Sequence, residues 1–488
     1  MLYANRDFVL DKYTKPNFCS LPTAAELRES LYAGAASEAR VQIATLFDQD
    51  TFIEVSTYAK RGFSDFVATE KSNEFEGVIC GYGAIDGKLV FAFVEDASRM
   101  GGAIDERHAK KIADLYNLAI KNGAPVIGVF NSTGTDIFEG TAGLAAYGKI
   151  ISCVSRASGV IPQIAYVAGK CIGTCATIAS MFDVVVKNEK ADLYVTSPAL
   201  TGAENAQNAI VAYTGNDEQC AGYVRSVISF LPSNSSEGIQ SSELCTDNLN
   251  RKLGNLDFAG NALSAISVIA DNGMFFELTA EYAPAVSTVF TTIGGVKCGV
   301  VATSFAENEG RINASAARKI AKFVALCDAF SIPVVTYVDS LGLAIDKNNE
   351  ELFSAELAKL AMAYATSSCP KITVIGGHAI GAAFVLLGSK SLGADLVYAV
   401  EDSEIGALTA ESGVAFAWDK HITESKTRSE LIDEWKASVS SPACAAASGE
   451  IDDIISVSEI RARICSALLM LSAKGQYSLD ARRKVLPL

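Results

Sequence analysis

Two short stretches carry most of the chemistry this sequence can offer: Gly169-Lys170-Cys171-Ile172-Gly173-Thr174 and Gly377-His378-Ala379-Ile380-Gly381-Ala382-Ala383. Each follows an apolar run, so each reads as a strand that passes through glycines into the start of a helix. The first backbone N–H groups of a helix have no intrahelical partner and point at whatever lies before them. Fixed donors of this kind suit an enolate or a tetrahedral oxyanion, and losing one costs about 3 kcal/mol of barrier. Taken singly, either glycine pair reads first as close strand–helix packing. The second copy raises the functional reading, although a duplication copies scaffolding as well. Small residues at the preceding strand ends, Asn131-Ser132-Thr133-Gly134 and Asp339-Ser340-Leu341-Gly342, let backbone approach a ligand, although either alone is an ordinary turn.

Side-chain chemistry is scarce. There are three histidines: His108 on a helix opening at Glu106, His378 in the second glycine turn, and His421 in the tail. No Ser-His-Asp order and no metal-ligand spacing emerges, so no metal is expected. His378 is the acid–base candidate by position, but its duplicate is Lys170, which equally suits a surface or supporting role. The twelve cysteines include no Cys-x-x-Cys pair, and Cys171 and Cys175 fall at a predicted helix start. Reduced core thiols are the reading, ahead of disulfides or zinc.

The elements that must position these turns are themselves duplicated. Pro162 matches Pro370, Gly169 matches Gly377 and Gly173 matches Gly381 at one offset of 208 residues, and Lys111, Pro125 and Ser132 match Lys319, Pro333 and Ser340 in the same register. The period is far too long for a solenoid. Each unit reads as strand, turn, helix, strand, loop, then strand, glycine turn, helix. Val126–Phe130 and Ile164–Ala168 are short apolar runs, as strands buried on both faces require. Ile112, Leu115, Tyr116 and Ala119 recur at helical spacing until Asn122-Gly123 ends the helix. The fold class is therefore α/β, in two tandem domains, with a boundary placed in the polar loop after Pro232: residues 1–238 and 239–488. Ile460, Ile464, Ala467, Leu468 and Leu471 form one helical stripe, which packs on its own domain or on a partner subunit.

A net charge of −15 argues against a nucleic-acid surface as the main function. The N-terminus has no basic region followed by an apolar core, so a cytoplasmic location is expected. The apolar window Ile372–Gly388 mimics a membrane span, but its central glycines, and Gln163 and Lys170 in its duplicate, make it a strand–turn–helix unit.

With these residues in view the chain resembles the carboxyltransferase subunits of biotin-dependent acyl-CoA carboxylases and decarboxylases. The likeness runs from about Arg40 to Leu488, through GYGAIDGKLVFAFVEDASRMGGAIDERHAKKI, ASGVIPQIAYVAGKCIGTCA, ARKIAKFVALCDAFSIPVVTYVDSLG and CPKITVIGGHAIGAAF. The resemblance implies two crotonase-like domains, the first binding acyl-CoA and the second carboxybiotin, with the site formed between subunits of a hexamer built as a trimer of dimers. It implies oxyanion donors at Gly173 and Thr174 for the thioester and at Ala382 and Ala383 for the ureido oxygen. Gly134, Gly169, Cys171, Gly342, Gly377 and Gly381 would line the substrates. Biotin acts as the base, in keeping with the scarcity of side-chain acids and bases. The partners implied are a biotin carboxyl carrier protein and either a biotin carboxylase or a membrane decarboxylase subunit.

The sequence departs from the family pattern where Asn131-Ser132-Thr133-Gly134-Thr135-Asp136 replaces Asp-Ser-Gly-Gly-Ala-Arg, an anion for a cation, and where Gly173-Thr174 replaces Gly-Gly. Two other readings accompany the leading one. A biotin-independent crotonase-like hydratase or isomerase needs an acid–base group at the first turn, for which Glu139 is the candidate. A degenerate structural subunit pairing with an active paralogue is the other.

Overall fold

The computed structural model describes residues 23–474 apart from 33–35, 62–74, 203–208, 240–244, 254–260, 346–349 and 424–425. Residues 240–244, just past the expected domain boundary, therefore lie outside the described residues.

Each half builds one sheet. In the first, β1 (Ile53–Val55), β2 (Val78–Ile85), β3 (Lys88–Glu95), β4 (Val126–Ser132), β5 (Gln163–Ile172), β6 (Val184–Asn188) and β8 (Val211–Gly215) lie side by side in that order, and β7 (Asp192–Tyr194) extends from the end of β5. In the second, β9 (Phe275–Leu278), β10 (Val286–Ile293), β11 (Val296–Thr303), β12 (Val334–Ser340), β13 (Lys371–Ile380), β14 (Leu396–Val400) and β16 (Asp453–Ile455) follow the same sequence of neighbours, with β15 (Glu404–Gly406) on β13. The β2–β3 and β10–β11 pairs are antiparallel hairpins, and the strands from β3 to β6 and from β11 to β14 are parallel. Parallel strands need long crossovers, and helices supply them.

The offset of 208 holds strand for strand from β2/β10 to β5/β13. It widens after the glycine turn, where the extra short turn Lys390–Leu392 precedes β14. The connection read as a loop between β4 and β5 is a helix, Thr141–Ala157, and its counterpart is Glu350–Thr366. Gly143 and Gly148 depress helix propensity in the first of these, yet Ala146, Tyr147, Ile150, Cys153 and Val154 are buried, so tertiary packing decides.

Residues of β4, β5 and Glu106–Asn122 form the core of the first half, around Phe93, Phe130 and Phe182. A separate core in the second half includes the stripe Ile460, Ile464, Ala467, Leu468 and Leu471 packed with Val289 and Val335. That stripe therefore covers its own domain. A third cluster joins the halves: Val224 and Phe230 of helix Asp217–Phe230 meet Phe290 and Phe323, with the Phe230 and Phe290 rings stacked 4.7 Å apart. Lys88 and Lys297, one from each half, donate to the last carbonyls of the same helix, Ile228 O at 2.8 Å and Ser229 O at 2.7 Å. Their ammonium groups satisfy acceptors that the helix leaves open. Among the described residues no helix is long and apolar enough to cross a membrane.

Candidate functional site

The two glycine turns have the same backbone. Gly173 takes φ 61, ψ −127 and Gly381 takes φ 58, ψ −130, a combination that glycine alone adopts without strain. Each glycine N–H is already engaged sideways: Gly173 donates to Tyr194 O at 2.9 Å and Gly381 to Gly406 O at 2.8 Å. Gly173 thus contributes through its conformation, and its N–H is not available as a donor. The first N–H groups beyond the reach of any intrahelical carbonyl are those of Thr174 and Cys175 in the first half and of Ala382 and Ala383 in the second. The Thr174 side chain is exposed, whereas Cys175 and Ala383 are buried.

A register shift beside each turn sets its approach. Between Phe130 and Ser132 the β4–β5 ladder skips a step, and between Val338 and Ser340 the β12–β13 ladder does the same. Into each gap a side chain from the preceding strand reaches across: Asn131 Oδ1 accepts the Lys170 N–H at 3.2 Å, and Asp339 Oδ1 accepts the His378 N–H at 2.8 Å. A Cβ on Gly169 would sit 2.2 Å from Asn131 Oδ1, and one on Gly377 would sit 2.4 Å from Asp339 Oδ1. Those two glycines therefore make room for the bracing side chains. Gly134 (φ 110) and Gly342 (φ 107) close the neighbouring loops by donating to Ser132 Oγ at 3.1 Å and Ser340 Oγ at 3.2 Å. Ser132 pairs with Cys171, which brings the first loop alongside the first turn.

Neither cysteine at this turn is a nucleophile. Burial pushes the Cys175 thiol up to about 12 and holds Cys171 well above its usual range. Tyr147 from the unforeseen helix places its hydroxyl 3.6 Å from Cys175 Sγ, and a Cβ on Gly134 would lie 3.4 Å from it. Glu139 sits in the short turn Ile137–Glu139, and its Oε2 accepts the Glu106 N–H at 3.0 Å, so it caps a helix. Among the described residues no three His, Cys, Asp or Glu side chains group to hold a metal ion.

Sequence reasoning missed the buried ionisable cluster behind the first turn. Glu95, the last residue of β3, accepts the Asn131 N–H at 2.8 Å. His108 is fully buried, with Nδ1 3.6 Å from Glu76 Oε1 and Nε2 3.9 Å from Glu95 Oε1. Burial pushes the Glu95 carboxyl up to about 8, against the smaller opposing effect of the Asn131 N–H. A carboxyl raised above its unfolded value of about 4.3 contributes stability that is fully present below that pH and is lost as pH rises toward about 8. Glu95→Gln keeps an oxygen for the Asn131 N–H and removes the ionisation. Its unfolding free energy is expected to match the parent near pH 4 and to exceed it at alkaline pH, by on the order of 1–3 kcal/mol. Equal unfolding free energies at both pH values would sink this account of Glu95.

The family model described as the carboxyl transferase domain matches residues 33–486. Methylmalonyl-CoA decarboxylase subunit alpha of Propionigenium modestum is 32% identical, over 92% of this chain and 92% of that protein. The putative propionyl-CoA carboxylase beta chain of Bacillus subtilis is 33% identical, over 92% of this chain and 93% of its own. The crystal structure of transcarboxylase 12S, described as a hexamer with methylmalonyl-coenzyme A and methylmalonic acid bound, superposes with a TM-score of 0.83 at 29% identity, covering 94% of each chain.

Proposed function

The chain belongs to the carboxyl transferase family, and we propose from this that it moves a carboxyl group between biotin, held on a separate carrier protein, and the α-carbon of a short acyl-CoA. The family, the two-domain α/β fold and the carboxyltransferase class agree with the resemblance drawn from the sequence. The observation that carries the reading is the repetition of one glycine-dependent turn, with the same angles and the same sideways hydrogen bond, in both halves.

The N–H groups of Thr174 and Cys175 hold the thioester oxygen as negative charge develops on it, and fixed donors gain most where charge appears only in the transition state. At the second turn the side chains after Gly381 are only alanines, and the backbone offers donors alone, so a ureido oxygen is a fitting acceptor. When bound, biotin supplies the carboxyl group and the basic ureido nitrogen. The chain's residues then need only bind, orient and stabilise, in keeping with Glu139 being tied to a helix start and with thiols that stay protonated.

A hexamer like that described for transcarboxylase 12S, with residues 1–238 on the acyl-CoA side and 239–488 on the biotin side, completes the reading. The partners are the biotin carrier and either a biotin carboxylase or a membrane decarboxylase subunit, in the cytoplasm.

Incubation of the purified protein with free biotin and malonyl-CoA, methylmalonyl-CoA or glutaconyl-CoA tests it. Biotin-dependent loss of the carboxyl group from one thioester is expected. A folded oligomer that turns over none of them would favour the structural-subunit reading.

A further inference from the structure

His378 is the side chain at the two turns whose geometry the proposed chemistry leaves unused. It stands on β13 three residues before Gly381, and its ring is held on two sides. Nδ1 lies 2.9 Å from Asp339 Oδ1, the oxygen that also accepts the His378 backbone N–H. The Phe305 ring stacks on it, with centroids 4.9 Å apart and planes 22° from parallel. The side chain nevertheless keeps 35% exposure, and among the described residues Nε2 has no hydrogen-bond partner. An imidazole fixed through one nitrogen and open at the other is a donor preset for a ligand.

We propose that His378, oriented by Asp339, is the side-chain donor of the second half, its Nε2–H binding the ureido end of biotin beside Ala382 and Ala383, most strongly when that end carries the carboxylate. The proposal rests on reading the second half as the biotin side. It involves no net proton transfer: the imidazolium gives a charge-assisted hydrogen bond and keeps its proton.

The duplicate half explains why a carboxylate stands at position 339. Asn131 occupies the matching place and holds the Lys170 N–H, so a neutral amide is enough to brace the backbone. The negative charge of Asp339 is additional, and it acts on the ring. Asp339 raises the His378 pKa above its ordinary 6.5 through their hydrogen bond and its charge; Glu404, its neighbour on β15, acts in the same direction, while burial and Lys436 of helix Arg428–Ser438 oppose. Lys170 is exposed at the corresponding place before Gly173. Each half thus places a basic residue three positions before its turn glycine.

Diethyl pyrocarbonate, which acylates neutral imidazole, tests this on the native protein, because the three histidines provide their own controls: His421 is exposed and His108 is fully buried. Read by peptide mass, the pH midpoint for His378 modification is expected above 6.5, and saturating free biotin is expected to slow modification of His378 several-fold without changing His421. Asp339→Asn should move the midpoint down and raise KM for biotin several-fold with KM for the thioester unchanged. His378→Lys should restore the KM that His378→Gln loses. Modification of His378 at one rate with and without biotin, in a protein that shows biotin-dependent turnover, overturns the role of His378 and leaves the carboxyltransferase reading standing. Loss of both protection and turnover overturns the two together.

Discussion

Gly173→Ala is expected to leave the chain folded while lowering carboxyl-transfer turnover by about 10²-fold or more. An added Cβ at this position meets nothing within 4 Å, so crowding is not the cause. The cost is conformational: φ 61 with ψ −127 strains an L residue by about 1–3 kcal/mol. The chain relieves that strain most cheaply by rotating the peptide between residues 173 and 174, which re-aims the Thr174 N–H away from the oxyanion position. Gly381→Ala makes the parallel test in the second half, where the new Cβ would make an ordinary 3.4 Å contact with Ala407 O. Comparing kcat at saturating biotin and thioester with the thermal midpoint separates the two effects. A folded Gly173→Ala protein with parental kcat would show that the N–H groups after Gly173 are not the oxyanion donors. Gly169→Ala differs in kind, because its Cβ would collide with Asn131 Oδ1, and it should lower stability along with turnover.

The duplicated frame was readable because it is written in strong local signals. β4 and β5 are apolar runs ended by glycine or proline, and their copies at β12 and β13 keep the register residue for residue. The turn glycines were legible for the same reason: a position with ψ near −127 and positive φ admits no other residue comfortably, so its type reports its geometry. Which N–H groups remain free was not legible, since it depends on β7 and β15 reaching back to accept from Gly173 and Gly381. The helix Thr141–Ala157 was hidden by its glycines, and with it Tyr147. His378 was visible as a residue, but its partner Asp339 lies 39 positions away and is joined to it only by the pairing of β12 with β13.

The charge change at Asp136, which the sequence presented as the loss of a cation, leads to the second large effect. Arg61 enters from another part of the chain and places Nη2 3.0 Å from Asp136 Oδ2 and 3.6 Å from Asp105 Oδ2, with Nη1 4.0 Å from Glu76 Oε1. All four side chains are buried, so the guanidinium faces three carboxylates in a region of low dielectric, with His108 also beside Glu76. The cluster has structural reach: Asp105 caps Glu106–Asn122 by accepting the His108 N–H at 2.7 Å, and the Ile104 N–H, one residue away, holds Gly134 O at 2.8 Å. Arg61→Met, similar in length but uncharged, is expected to lower stability by about 3–5 kcal/mol near neutral pH, because it takes the guanidinium away from buried carboxylates. The loss should shrink as pH falls, since burial and the charge of Glu76 already raise the Asp105 carboxyl, and protonation there is the cheapest release of the repulsion. Arg61→Met combined with Asp136→Asn should recover part of it, because one of the three charges is then gone. Denaturant melts of the single and double variants at neutral and mildly acid pH decide the matter. A single-variant loss that does not change with pH would mean that Arg61 acts by packing alone.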